Sequence, residues 1–111
     1  MKMPKPTDAD MERFRSLLPD DPRVTVKPMF GNLGAFVNGN MFMGLFGSDV
    51  GVKLPPDAAE ELLAVEGASP FGPPERPMGG YVTLPAVFLD SDEWRPWVRR
   101  ALDHVATLKP K

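Results

Sequence analysis

Five glycines lie among phenylalanines and methionines between Lys27 and Gly47, in the stretch KPMFGNLGAFVNGNMFMGLFG. A phosphate loop needs its glycines between a strand and the start of a helix, but here a further apolar, strand-like run follows. Residues 34–37 match part of an aromatic strand that binds RNA, without its basic flank or its other aromatics. Met41 and Met43 offer two thioethers to Cu(I), although methionine more often fills gaps in a core. The stretch favours a β-hairpin over a phosphate loop, an RNA-binding strand or a Cu(I) site.

The titratable residues form no recognisable catalytic motif. His104 is the only histidine, and no serine or carboxylate stands at the spacing of a catalytic triad. Near the end of a helix it is typical of a surface residue stabilised by the helix dipole. The acidic residues at 90–93 precede a helix, where capping by Asp90 or Asp92 accounts for them. We therefore expect no enzymatic activity, no cofactor and no metal site.

Composition narrows the class of protein. The chain has 111 residues, 42% of them hydrophobic and 25% charged, which is enough for one domain with a real core. A net charge of −2 gives no general attraction to nucleic acid or to anionic lipid. The sequence shows no cysteine, no secretory signal and no apolar run long enough to span a membrane. We expect a single cytoplasmic domain over residues 1–111, with a disordered tail at 1–6.

Proline and glycine, 14 and 10 in number, divide the chain into short elements. Thr7 and the acidic Asp10 predict the start of a first helix that Pro19 ends. Alternation at 24–27 predicts a strand, and Pro28 places that strand at a sheet edge or at a bulge.

Prolines and glycines also divide the second half of the chain into short elements. A second helix is expected from Pro55 to near Gly67, followed by a loop at 68–80 and a strand at 81–84. The last helix should begin near Asp92, which would leave Pro96 in its first turn. The order α-β-β-β-β-α-β-α predicts an α+β fold of two layers, an antiparallel sheet of about five strands with three helices.

The hairpin carries the candidate site. Asn38-Gly39 predicts a type I′ turn, which would pair Phe36 with Met41 and Ala35 with Phe42. Both faces of such a hairpin are apolar, so either one face binds a partner or the second helix or the 68–80 loop covers it. The predicted protein-binding residues, from the hairpin and from that loop, are Phe42, Met43, Phe46, Phe71, Arg76 and Met78.

Several short motifs then make the chain recognisable. They are Met29-Phe30-Gly31, Val37-Asn38-Gly39, Pro70-Phe71, Arg76-Pro77-Met78 with Gly80-Tyr81, and Trp97-Val98 with Ala101-Leu102. In this order and spacing they resemble the TfoX N-terminal domain family, named for the TfoX/Sxy competence regulators. The resemblance runs from about Val24 to Val105. It implies a compact domain like the secretion-chaperone-like fold, here as a stand-alone N-terminal domain, and it supplies no catalytic residues.

Two functions remain open at this point. The first is a non-enzymatic protein-interaction domain, an accessory in transcriptional regulation of the competence type. Its partner would be another protein or a second copy in a weak homodimer, without specific binding to DNA and without a membrane. The alternative is a small-ligand binder or uncharacterised enzyme that uses the 68–80 loop, with Arg76 as an anion anchor.

Overall fold

The computed structural model describes residues 5–29, 31–73 and 75–110. Within them the chain forms four helices and six strands. In chain order these are α1 (Asp8–Ser16), β1 (Thr25–Met29), β2 (Asn32–Val37), β3 (Asn40–Phe46), β4 (Asp49–Lys53), α2 (Pro56–Leu63), β5 (Ser69–Pro70), β6 (Tyr81–Thr83), α3 (Ala86–Leu89) and α4 (Trp94–Ala106).

The strands form one antiparallel sheet in the order β1-β2-β3-β4-β6-β5. Helix α4 packs against β2, β3 and β4, and α2 packs against β6, so the helices share one face of the sheet. The predicted α+β fold of two layers is confirmed. The expected strand and helix counts were too low, because β5 has two residues and α3 has a single turn, too short for any periodicity.

The predicted cap of α1 is present in full. The Thr7 hydroxyl accepts a hydrogen bond from the Asp10 backbone N–H at 3.1 Å, and the Asp10 carboxylate accepts one from the Thr7 N–H at 2.9 Å. The hydrogen bond from the Thr7 N–H to the charged carboxylate is the main cause that lowers the pKa of Asp10. The helix ends at Ser16, three residues before Pro19.

The hairpin turn also agrees with its sequence. Asn38 has a φ of 54° and Gly39 a φ of 82°, as a type I′ turn requires. The register beyond the turn differs from the prediction, because a β-bulge makes Ala35 pair with Met43 instead of Phe42. Phe42 is the extra residue.

The bulge changes which side chains enter the core. Phe42 and Met43 are both fully buried, at 0% exposure. Met43 and Leu45 therefore share a face with Ala35, whereas an unbulged hairpin would have placed them with Phe36. The core continues through Val50 and Val52 of β4 and the apolar stripe of α4, which consists of Val98, Ala101, Leu102 and Val105.

Helix α4 begins two residues later than expected. Trp94 is its first residue and Glu93 its N-cap, and no side chain makes a capping hydrogen bond. The expectation that Asp90 or Asp92 caps this helix was wrong, since Asp92 pairs with Arg95 at 2.9 Å instead.

Replacing Pro96 by alanine should change the free energy of unfolding by less than about 1 kcal/mol. Pro96 is the third residue of α4, where a backbone N–H has no partner within the helix. Urea denaturation of the two proteins measures the difference. A gain approaching the ~3 kcal/mol of an interior proline would show that the helix begins earlier than Trp94.

Two predictions fall partly outside the described residues. The prediction of a disordered tail at 1–6 falls mainly on residues 1–4, and the Met29-Phe30-Gly31 motif includes residue 30. Across the described ranges, no helix has the length and apolar character needed to cross a membrane.

Candidate functional site

Three glycines form a row across the sheet face that the helices leave free. Gly34 of β2 pairs with Gly44 of β3, and Gly44 pairs with Gly51 of β4. We call this side the outer face. It carries alternate residues of the strands, among them Lys27, Met29, Gly34, Phe36, Met41, Gly44, Phe46, Gly51, Lys53 and Tyr81. Because glycine has no side chain, the row is a trough between taller neighbours.

Phe71 fills one end of the trough. Its ring lies directly on Gly51, so closely that a methyl group there would overlap it, and it also touches Gly44. Phe46 meets the same ring edge-on with centroids 6.2 Å apart, and Tyr81 lies 6.3 Å away at a tilt. At 3% exposure, Phe71 is a core residue of the outer face.

The loop that carries Phe71 is held by its own backbone. The Met78 N–H donates to the Phe71 carbonyl at 2.8 Å, and the Phe71 N–H donates to the Tyr81 carbonyl at 3.3 Å. Gly72, with a φ of 106°, allows the chain to turn back between them. Part of the region predicted as loop is therefore edge strand β5, and the described residues from Phe71 to Met78 belong to a turn that these bonds close.

A cavity of about 250 Å³, open on one side, lies where the loop stops covering the trough. The glycine floor, the Phe71 ring and three methionines make it strongly apolar. Its lining residues are Met29, Asn32, Leu33, Met41, Gly44, Leu45, Phe46, Phe71, Pro73 and Met78. We call it the outer-face pocket. Asn32 is its polar residue, and the Asn32 Oδ1 atom already accepts a hydrogen bond from the Gly47 N–H at 2.8 Å.

Tyr81 fixes the border of the pocket. Its hydroxyl donates to the Met41 carbonyl at 2.8 Å. Burial raises the pKa of the phenol, so the hydroxyl stays protonated at neutral pH and keeps donating. This bond ties β6 to β3 across the outer face.

The predicted binding residues separate into three groups. Phe46, Phe71 and Met78 line the outer-face pocket. Phe42 and Met43 do not, because the bulge buries both in the helix-covered core, so neither side chain is accessible to a partner. Arg76 is exposed on the loop and is not among the lining residues.

Sequence reasoning missed Met29, Met41 and Gly44. The register predicted without a bulge assigned Met41 and Met43 to one face, whereas the sheet places them on opposite faces. The two thioethers considered for Cu(I) are therefore separated. The available signal was a glycine within each of three consecutive strands, a pattern typical of close approach by another segment.

The three arginines of α4 are already engaged in ion pairs. Arg95 pairs with Asp92, Arg99 with Asp103 at 3.3 Å, and Arg100 with Glu61 at 3.2 Å. His104 lies half-buried in the last turn of α4. In the described ranges, no three His, Cys, Asp or Glu side chains are grouped so as to hold a metal ion.

Comparison with known proteins agrees with the motifs noted above. No curated protein matches the chain at a significant level. The family model of the TfoX N-terminal domain matches residues 16–105. That segment runs from the end of α1 almost to the end of α4, and it includes every strand and every described lining residue of the outer-face pocket. The chain belongs to the TfoX N-terminal domain family.

Proposed function

We propose that this domain is a small non-enzymatic protein-interaction module that acts as an accessory in transcriptional regulation of the competence type. The observation that carries the proposal is the outer-face pocket, an apolar cavity on a sheet face that the helices leave uncovered. Its occupant is a large apolar side chain of a partner protein.

The size and chemistry of the pocket favour a side chain over a small molecule. Small-molecule sites usually enclose about 300–1,000 Å³ and contain several convergent polar groups. The outer-face pocket holds about 250 Å³, and the acceptor oxygen of its Asn32 is occupied by the Gly47 N–H. A single anchor side chain in a desolvated pocket is the usual energetic centre of a protein interface.

The methionines suit the same role. Met29, Met41 and Met78 approach the pocket from β1, β3 and the loop. Their flexible, polarisable side chains can repack around anchors of different shape.

The regulatory part of the proposal rests on family membership. Action through a protein fits the charge distribution better than direct binding to DNA, because the three arginines of α4 are each paired with a carboxylate. Pairing cancels much of the positive field that phosphate contacts need.

The test is affinity capture from a lysate of the source organism with three proteins: the parent, Met29→Asp and Val87→Asp. Met29 lines the pocket from an edge strand, so its substitution places a charge at the pocket without entering the core. Val87 is an apolar residue with 68% exposure on α3 and serves as the matched control.

We expect the parent and Val87→Asp to capture the same protein. Met29→Asp should capture at least about tenfold less of it, because a charge in an apolar pocket costs more than about 1.4 kcal/mol of binding free energy. Circular dichroism checks that all three are folded. Equal capture by Met29→Asp would overturn the pocket as the binding site. A captured second copy of this chain would identify a homodimer, which sedimentation would then show.

The small-ligand alternative has its own readout. Ligand binding to the folded state raises the melting temperature by mass action. A metabolite that stabilises the parent and Val87→Asp but not Met29→Asp would replace the protein partner as the occupant of the pocket.

A further inference from the structure

Two lysines stand on the outer face on either side of the pocket. Lys27 of β1 lies opposite Gly34, and Lys53 of β4 lies opposite Tyr81. Each ammonium group sits over a ring of the same face: Lys27 Nζ is 5.3 Å from the centre of Phe36, and Lys53 Nζ is 5.5 Å from the centre of Tyr81. The rings hold the charges at the border of the apolar surface.

These two charges have no carboxylate partner among the described residues. The ion pairs of that part of the chain use arginines: Arg23, Arg95, Arg99 and Arg100. On the outer-face positions of the strands, the described carboxylate is Asp49, which lies at the far end of β4 opposite Phe46. With two lysines against one aspartate (2 − 1), the described outer-face positions of the strands carry a net charge of +1 on a chain whose net charge is −2.

The edges of the sheet are poorly suited to a partner strand. Edge strand β1 contains Pro28, which cannot donate a hydrogen bond, and edge strand β5 has only two residues, one of them Pro70. A partner is therefore expected to lie on the outer face and not to extend the sheet.

We propose that the partner segment carries one large apolar side chain flanked by carboxylates. This inference rests on the proposed function: the apolar side chain enters the outer-face pocket, and the carboxylates pair with Lys27 and Lys53. The two lysines are three strands apart, which is about 14 Å across the sheet at ~4.8 Å per strand. An extended segment covers that span, with the offset along the strands, in about four or five residues.

The probe is the capped peptide Glu-Ser-Leu-Ser-Glu, with three matched peptides. One replaces both glutamates by glutamine, one replaces both by lysine, and one replaces leucine by serine. The protein carries ¹³C-labelled methionine methyl groups, so that Met29, Met41 and Met78 report on the pocket while the buried Met43 reports on the core.

We expect the acidic peptide to shift the three pocket methyls and not that of Met43, and the serine peptide to shift none of them. The acidic peptide should bind about threefold to tenfold more tightly than the glutamine peptide at low salt, as two exposed ion pairs allow. That ratio should fall toward one near ~1 M salt, where the Debye length is about 3 Å.

A double substitution, Lys27→Glu with Lys53→Glu, should reverse the preference in favour of the lysine peptide. If the two glutamates disturb the fold, the milder pair Lys27→Gln with Lys53→Gln takes their place. It should abolish the preference for the acidic peptide over the glutamine peptide. Equal binding of the acidic and glutamine peptides would overturn this inference and leave the proposed function standing. Absence of leucine-dependent shifts for every peptide would contradict both.

Discussion

Replacing Phe42 by aspartate is expected to leave the chain unfolded, and replacing Met43 by aspartate should do the same. Both side chains have 0% exposure. Removing a large core side chain costs about 3–5 kcal/mol, and an unpaired buried carboxylate adds several more. Domains of this size are stable by only about 5–15 kcal/mol. Far-ultraviolet circular dichroism and a thermal melt measure the result.

The same substitution at an exposed site provides the control. Val87→Asp, at 68% exposure, should change the free energy of unfolding by no more than about 0.5 kcal/mol. The pair of core variants also tests the bulge. An unbulged hairpin would place Phe42 and Met43 on opposite faces, so only one of the two variants would then unfold. A folded, cooperative Phe42→Asp or Met43→Asp protein would contradict the register.

Replacing Gly51 by alanine should destabilise the domain by about 1–3 kcal/mol, the usual cost of overfilling a packed site. Ordinarily alanine is more favourable than glycine within a strand. Here the added methyl group would overlap the Phe71 ring, which the sheet, Phe46 and Tyr81 hold in place. The ring must move away from β4, and the wall of the outer-face pocket moves with it. Urea denaturation measures the loss, and the Met78 methyl resonance reports the displaced loop.

Two further variants separate this cause from a general effect of alanine. Gly79→Ala adds a methyl group with no atom within 4 Å, so it should be nearly neutral. In a Phe71→Ala background, Gly51→Ala should lose most of its cost, because the ring that it strikes is gone. Equal costs for Gly51→Ala with and without Phe71 would mean that the trough is not where the loop is anchored.

The outer-face pocket and the glycine row are one feature of the fold. Gly51 accepts the Phe71 ring and so anchors the loop, while Gly44, itself buried, lines the floor of the pocket. A Cβ atom at Gly44 would lie 3.2 Å from Phe71 and 3.3 Å from Met41, so both side chains would have to shift slightly and the floor of the cavity would rise.

Local sequence determined the elements that depend on neighbouring residues. Thr7 and Asp10 specify their capping box within one turn of helix. Asn38 and Gly39 specify a type I′ turn because both tolerate positive φ. Pro28 fits the edge strand that its missing N–H requires. The motif order was also sufficient to indicate the family.

Tertiary structure decided which of the predicted binding residues form the outer-face pocket and which lie in the core. The bulge at Phe42 has no local signal, because it arises when the core has room for two successive large side chains from one strand. That single inserted residue exchanges the faces of all residues beyond it, and so moves Met43 into the core while Met41 stays at the pocket. The position of Phe71 on Gly51 likewise joins residues 20 positions apart. Such contacts depend on the shape of a sheet that exists only after the strands have paired.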